Sequence, residues 1–135
     1  MTESLPIIGV TMGDPAGIGP EVIVKAYRHL LDSGRPIVIG DGDVLVEATE
    51  ACGSDLAVQR VETVTDAGFD PETIPILDLD NVGTLVRGEV REEYGAASLE
   101  YVERAIELAQ AGAIDGITTA PINKQATKLA GSTYA

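Results

Sequence analysis

The stretch Gly13-Asp-Pro-Ala-Gly-Ile-Gly-Pro-Glu21, directly behind the apolar run Pro6-Ile-Ile-Gly-Val-Thr-Met12, leaves the chain few ways to fold. The apolar run reads as a buried strand. Three glycines followed by Pro20 read as a tight turn that opens a helix. Such a junction exposes main-chain N–H groups at the helix start and lets a ligand approach the backbone closely. It matches neither common phosphate fingerprint: the spacing is G-x-x-x-G-x-G rather than G-x-G-x-x-G, and no Gly-Lys-Ser/Thr closes it. Asp14 and Glu21 flank the turn and would repel a polyphosphate unless a cation intervened, so a simple nucleotide loop does not fit.

The same alternation continues along the chain. Apolar positions Ile23, Ala26, Tyr27, Leu30 and Leu31 predict a helix from Pro20 to about Asp32, ended by Gly34. Pro36–Gly40 predicts a short buried strand, Asp41-Gly-Asp43 a polar turn, and Val44–Ala51 a helix capped by that turn. Leu56–Val61 and Ile74–Leu79 predict two more strands, with Pro75 assigning the second to a sheet edge or to a strand entry. Residues 80–93 show no periodicity and predict a loop or mobile connection. Tyr94–Ala111 is the longest predicted helix, Ile114–Thr119 the next strand, and Pro121–Leu129 a last helix. Strands alternating with helices predict an α/β fold, a parallel sheet with flanking helices. Ligands of such sheets collect beyond the carboxyl ends of the strands, which singles out Gly13–Glu21 and Thr118–Lys124.

Composition narrows the partners. With 135 residues the chain has the size of one domain, and its scarce aromatics and plentiful small apolar residues suit a parallel core. A formal net charge of −13 argues against nucleic acid and anionic membrane as partners. The acidic residues are spread along the chain and only three of the nine basic residues are lysine, a pattern of a surface solvated for high salt. The single cysteine, Cys52, excludes an internal disulfide and a cysteine zinc site, and its position predicts a buried structural thiol at a helix end. The amino terminus lacks the features of a secretory signal and no segment has the apolar length of a membrane span, so a cytoplasmic protein is expected.

Lys124 falls in the first turn of its predicted helix, where the helix dipole disfavours a cation. Lys128 lies one turn later on the same face. The pair reads either as an anion site, with the hydroxyls of Thr118 and Thr119 and the amide of Asn123, or as solvated lysines answering neighbours such as Asp115. Asn123 reads equally as a plain helix cap. Asp14 reads either as an Asx-turn residue bonding its own backbone or as a carboxylate that orients a substrate hydroxyl, a ribose or a lysine. The only histidine, His29, lies beside the apolar stripe of the first helix and cannot supply a histidine metal site by itself.

Gly13-Asp-Pro-Ala-Gly-Ile-Gly-Pro-Glu21, the spaced glycines Gly88 and Gly95, and Thr118-Thr-Ala-Pro-Ile-Asn-Lys124 followed by Ala130-Gly131 together resemble the 4-hydroxythreonine-4-phosphate dehydrogenase family. The resemblance implies a subunit akin to isocitrate and isopropylmalate dehydrogenases, with two α/β domains, a cleft between them and assembly into a homodimer. It implies NAD-dependent oxidation of the secondary alcohol of a small phosphorylated hydroxy acid, with a divalent metal ion and loss of carbon dioxide. Substrates would be 4-phosphohydroxythreonine or a phosphorylated threonate or erythronate. Carried over by motif, Asp14 and Lys124 are the candidate catalytic residues. Asn123, Thr119, Gly17 and Gly19 are the candidate substrate-binding residues, and Gly13 helps to shape the same wall.

In that family a Gly-His-Thr-Glu motif follows within a few residues of the position where this chain has Ser132-Thr-Tyr-Ala135, and three metal-ligating histidines lie further on. The chain therefore resembles an amino-terminal portion of the enzyme. By itself it is expected to be inactive and to expose apolar helix faces. A non-catalytic binding or assembly module, or one half of a split enzyme, remains the alternative, and an enzyme of another class using Asp14 and Lys124 a third.

Overall fold

A computed structural model describes residues 5–132; the expectations about the first four residues and about residues 133–135 lie outside them. Five strands and four helices follow one another as β1 (Ile7–Thr11), α1 (Gly19–Leu30), β2 (Arg35–Gly40), α2 (Gly42–Ala51), β3 (Ala57–Val61), β4 (Thr73–Asp78), α3 (Glu92–Gln110), β5 (Gly116–Thr119) and α4 (Lys124–Leu129), with a 3-10 turn at Val64–Asp66. The strands form one parallel sheet in the order β3-β4-β2-β1-β5. The α/β architecture read from the alternation is thus the architecture found.

Handedness places the helices. The crossovers β1-α1-β2 and β2-α2-β3 run one way along the sheet and β4-α3-β5 runs the other. Right-handed connections therefore put α1 and α2 on one face and α3 on the opposite face, where α4 packs against it. The central strand β2 is closed on both sides, with Ile37, Val38 and Ile39 fully buried. Between β1 and β5 the chain leaves the sheet toward opposite faces. That gap is a switch point of the kind at which such folds bind ligands, as is the gap between β2 and β4.

Pro75 does not mark a sheet edge: β4 lies between β3 and β2. Pro75 pairs with Gln59 of β3, whereas the ladder to β2 begins only at Ile76, opposite Val38. Its missing N–H falls before that ladder starts, so the entry alternative is the physical reason the proline is tolerated. The last helix also begins later than its sequence suggests, at Lys124 instead of Pro121, because the Asn123 side chain caps it by accepting from the Ala126 N–H at 3.0 Å. Cys52 sits half-buried at the carboxyl end of α2. No helix among the described residues is long and apolar enough to cross a membrane.

The charge pattern has a structural counterpart. Four arginines each clamp two carboxylates: Arg28 holds Asp55 and Glu72, Arg60 holds Asp43 and Asp78, Arg87 holds Glu21 and Glu47, and Arg91 holds Glu89 and Glu93. Each such cluster keeps a net negative charge, so the surface repels itself. Screening this repulsion should stabilise the fold. The melting temperature is expected to rise as KCl is raised from about 0.1 M to about 2 M; a flat profile would contradict the reading of the surface as salt-adapted.

Candidate active site

The carboxyl ends of β1 and β5 meet in one backbone joint. The Ala120 N–H donates to Thr11 O at 2.9 Å and the Asp14 N–H donates to Pro121 O at 3.1 Å. Two motifs more than a hundred residues apart in sequence thus share one rim. Gly13 makes this possible: its φ is +73°, and a Cβ there would lie 2.2 Å from Pro121 O. Gly19 serves the same end on the other side, since its Cβ would stand 2.2 Å from Met12 O. Gly17 is different. It is exposed, and an added Cβ would meet nothing nearer than 3.5 Å, so contacts within the described residues do not demand a glycine there.

Asp14 is only 3% exposed. Its Oδ1 accepts from the Ala16 N–H at 2.7 Å, the Asx turn expected of an aspartate in such a loop. Its Oδ2 is closed to solvent and has no partner. Burial pushes the carboxyl group above its usual range, against the opposing effect of the Ala16 and Gly17 N–H groups. The two readings of Asp14 thus divide between its two oxygens. A carboxylate with a buried orphan oxygen costs the fold stability whenever it is ionised.

On the β5 side, Thr119 Oγ1 accepts from Thr11 Oγ1 and donates to Ala120 O at 3.2 Å, so its hydroxyl is already engaged. Asn123 spends its carbonyl oxygen on the α4 cap. Lys124 is the first residue of α4, exposed, and outside every ion pair among the described residues, as is Lys128 one turn on. Asp115, a proposed answer to these lysines, instead accepts from the Ile7 N–H at 2.9 Å. Lys124 borders a groove of about 390 Å³ between α3 and α4, lined by Leu99, Val102, Ile106 and Ile122. The structure therefore joins the Asp14 turn to the backbone before Lys124, and no hydrogen bond or ion pair among the described residues ties the two side chains together.

A second group of carboxylates lies at the ends of β2 and β4. Ligand atoms of Asp41, Asp78 and Asp80 lie within 4.8 Å of one another. Two of the three are already engaged. Asp41 accepts from the N–H groups of Val44 and Val82, and Asp78 from those of Gly42 and Asp80 and from Arg60. This is a joint that ties α2 and the segment after β4 to the sheet, not a vacant ligand set. Next to it the Tyr101 hydroxyl donates to Asn81 Oδ1 at 2.8 Å, and burial, with the charge of Asp41 and its neighbours, holds its pKa well above that of a free tyrosine. His29 lies exposed in the last turn of α1, at the opposite end of that helix from the rim. With Asp41 and Asp78 engaged, and the Arg60 cation on Asp78, this group leaves only the Asp80 carboxylate free for a divalent metal ion, and the start of α1 is flanked by the carboxylates of Asp14 and Glu21. Asp41 was legible as a cap; Asp78, Tyr101 and the Arg87–Glu21 pair carried no local signal because their partners come from distant segments.

Comparison with known proteins places this geometry. The model of the family described as "Pyridoxal phosphate biosynthetic protein PdxA" matches residues 32–135. A curated relative from Symbiobacterium thermophilum, provisionally named a D-threonate 4-phosphate dehydrogenase, is 42% identical over 95% of this chain and 39% of its own length. The solved 4-hydroxythreonine-4-phosphate dehydrogenase of Burkholderia phymatum superposes with a TM-score of 0.93 at 40% identity, over 98% of this chain and 41% of that one. A terephthalate 1,2-cis-dihydrodiol dehydrogenase from Burkholderia xenovorans superposes with a TM-score of 0.74 at 29% identity, over 96% and 38%. The chain thus spans about two fifths of the length of the curated relatives it matches.

Proposed function

Since the chain belongs to the PdxA family, we propose that it forms the amino-terminal wall of a dehydrogenase subunit that oxidises the secondary alcohol of a phosphorylated four-carbon hydroxy acid. The observation that supports this most is the joint between the Gly13 turn and Pro121. It brings the orphan oxygen of Asp14, and Lys124, which makes no ion pair among the described residues, to the two strand ends that border the β1–β5 switch point. The fold alone does not select the substrate, since a terephthalate dihydrodiol dehydrogenase shares it. The selecting feature is Lys124: an exposed ammonium group with no counter-ion among the described residues, on a protein of net charge −13, suits a phosphate or carboxylate.

In this reading Lys124 and the Thr118 hydroxyl hold an anionic end of the acid. Gly17 leaves room for it against the main chain, and Gly19 keeps α1 close to β1. Asp14 Oδ2, once reached by substrate, accepts a hydrogen bond from the hydroxyl that is to lose its proton. Thr119 and Asn123 act as supports, through the Thr11 contact and the α4 cap. NAD as hydride acceptor and a divalent ion to steady the developing alkoxide belong to the proposal. Neither finds ligands among the described residues. Apolar side chains exposed on α3, β5, the segment after β5 and α4, namely Ile106, Ile117, Ile122 and Leu129, support a longer subunit that covers them, and a homodimer is part of the same proposal.

The test is turnover. With 4-phosphohydroxythreonine or D-threonate 4-phosphate, NAD and a divalent cation, a subunit of full family length built on this chain should reduce NAD. The 135-residue chain alone should not. Turnover by the short chain, or a full-length subunit that oxidises neither acid, would overturn the proposal.

A further inference from the structure

Residues 79–91, between β4 and α3, have no regular structure, yet they cross the carboxyl rim of the sheet. Their first part is tied down by buried groups: the Leu79 N–H donates to Gly40 O at 2.8 Å and the Val82 N–H to Asp41 Oδ2 at 3.0 Å. Residues 83–88 are held differently. The Tyr94 hydroxyl donates to Thr84 O at 2.8 Å and accepts from the Val86 N–H at 2.7 Å. The Gly88 N–H donates to Ala16 O at 2.9 Å. Arg87 divides its guanidinium between Glu21 of α1 at 2.9 Å and Glu47 of α2 at 3.1 Å. Both helices lie on the face opposite α3, so the strap must pass over the strand ends for Arg87 to reach them. Gly83 and Gly88 bound this part, Gly88 with φ +81°, and a Cβ at either would meet nothing within 4 Å.

The strap's contact with Ala16 falls two residues from Asp14, and the Ala16 N–H is itself bonded to Asp14 Oδ1. Two residues from that contact, Asp14 Oδ2 is buried and has no hydrogen-bond partner among the described residues. The geometry points to a latch: residues 83–88 swing about Gly83 and Gly88, the Arg87 fork holds them shut, and release uncovers Asp14 Oδ2 to a hydroxyl-bearing acid. This rests on the reading of Asp14 as part of the substrate wall. Besides the Tyr94 and Gly88 hydrogen bonds, the ties that hold the strap to α1 and α2 are half-exposed ion pairs, which are individually weak and screened by salt. Leu85 packs partly against the core and returns the strap to its closed position.

Arg87→Gln and Arg87→Lys test the latch by two readouts, amide hydrogen exchange at Val86 and Gly88 and carbodiimide-driven coupling of Asp14 to an added amine. In Arg87→Gln both should quicken roughly two- to thirtyfold, with Arg87→Lys between it and the parent. Exchange at Ile37–Ile39 in β2 should not change. The latch is overturned if Val86 and Gly88 exchange at the parent rate, if they quicken without faster coupling at Asp14, or if β2 quickens alongside them through general unfolding. Neither readout uses turnover. Full-length turnover indifferent to Asp14→Asn would discard the role of Asp14 in the site and leave the opening of the strap measurable.

Discussion

Asp14→Asn is expected to make the protein more stable at pH 7 and a full-length subunit about a hundredfold slower or worse. The stability gain follows from the fate of the two oxygens. An asparagine carbonyl can take over the bond from the Ala16 N–H; the amide NH2 then stands unpaired where Oδ2 was, so the gain comes only from removing a charge that burial disfavours. The sign is set by the raised pKa. Folding holds the Asp14 proton more tightly than the unfolded chain does, so this group favours the fold below its ordinary value of 3.8 and opposes it as pH rises through the folded value. The advantage of Asp14→Asn should therefore be greatest above the folded pKa, where the aspartate carries its buried charge. It should fade as the pH falls through the folded value toward 3.8 and be gone below that. The loss of rate follows because an amide cannot take the substrate proton and presents a donor where an acceptor is needed. Thermal melts at pH 3 to 7, paired with kcat/KM of the full-length form, check both halves. A variant less stable at pH 7, or equally active, would show that the orphan oxygen has no catalytic purpose.

How far this was legible in the sequence depends on how local the cause is. The strand, turn and helix from Ile7 to Leu30 are written in neighbouring residues: the apolar run, Gly13 for its positive φ, Pro20 for the helix start. Asp41 was likewise readable as a cap, because its partner Val44 is three residues away. Pro75 misled because strand position is a tertiary fact; which ladder needs the missing N–H depends on β2, far off in sequence. At the start of α4 two local signals competed, and the Asn123 cap prevailed over the preference of Pro121 for a first helical position. Pro121 instead lends its carbonyl to Asp14. The division of Asp14 between turn and orphan oxygen, and the strap with its Tyr94 and Arg87 anchors, had no sequence signature, since each depends on groups brought together only by the finished sheet.

Lys124→Ala carries the other large effect. The ammonium group is exposed, makes no ion pair among the described residues and sits at the positive end of a helix dipole. Removing it should change stability by less than about 0.5 kcal/mol. If it grips the phosphate or carboxylate of the acid, its removal deletes a charge-assisted contact, typically worth about 1.5–3 kcal/mol, or roughly ten- to a hundredfold in affinity. The contact exists before the reaction as well as during it, so KM should carry the loss and kcat should change little. The decisive measurement is therefore the pair of constants for D-threonate 4-phosphate in full-length Lys124→Ala. A KM raised at least about tenfold with kcat nearly unchanged is the expected result. An unchanged KM would contradict the assignment of the β1–β5 rim as the substrate wall.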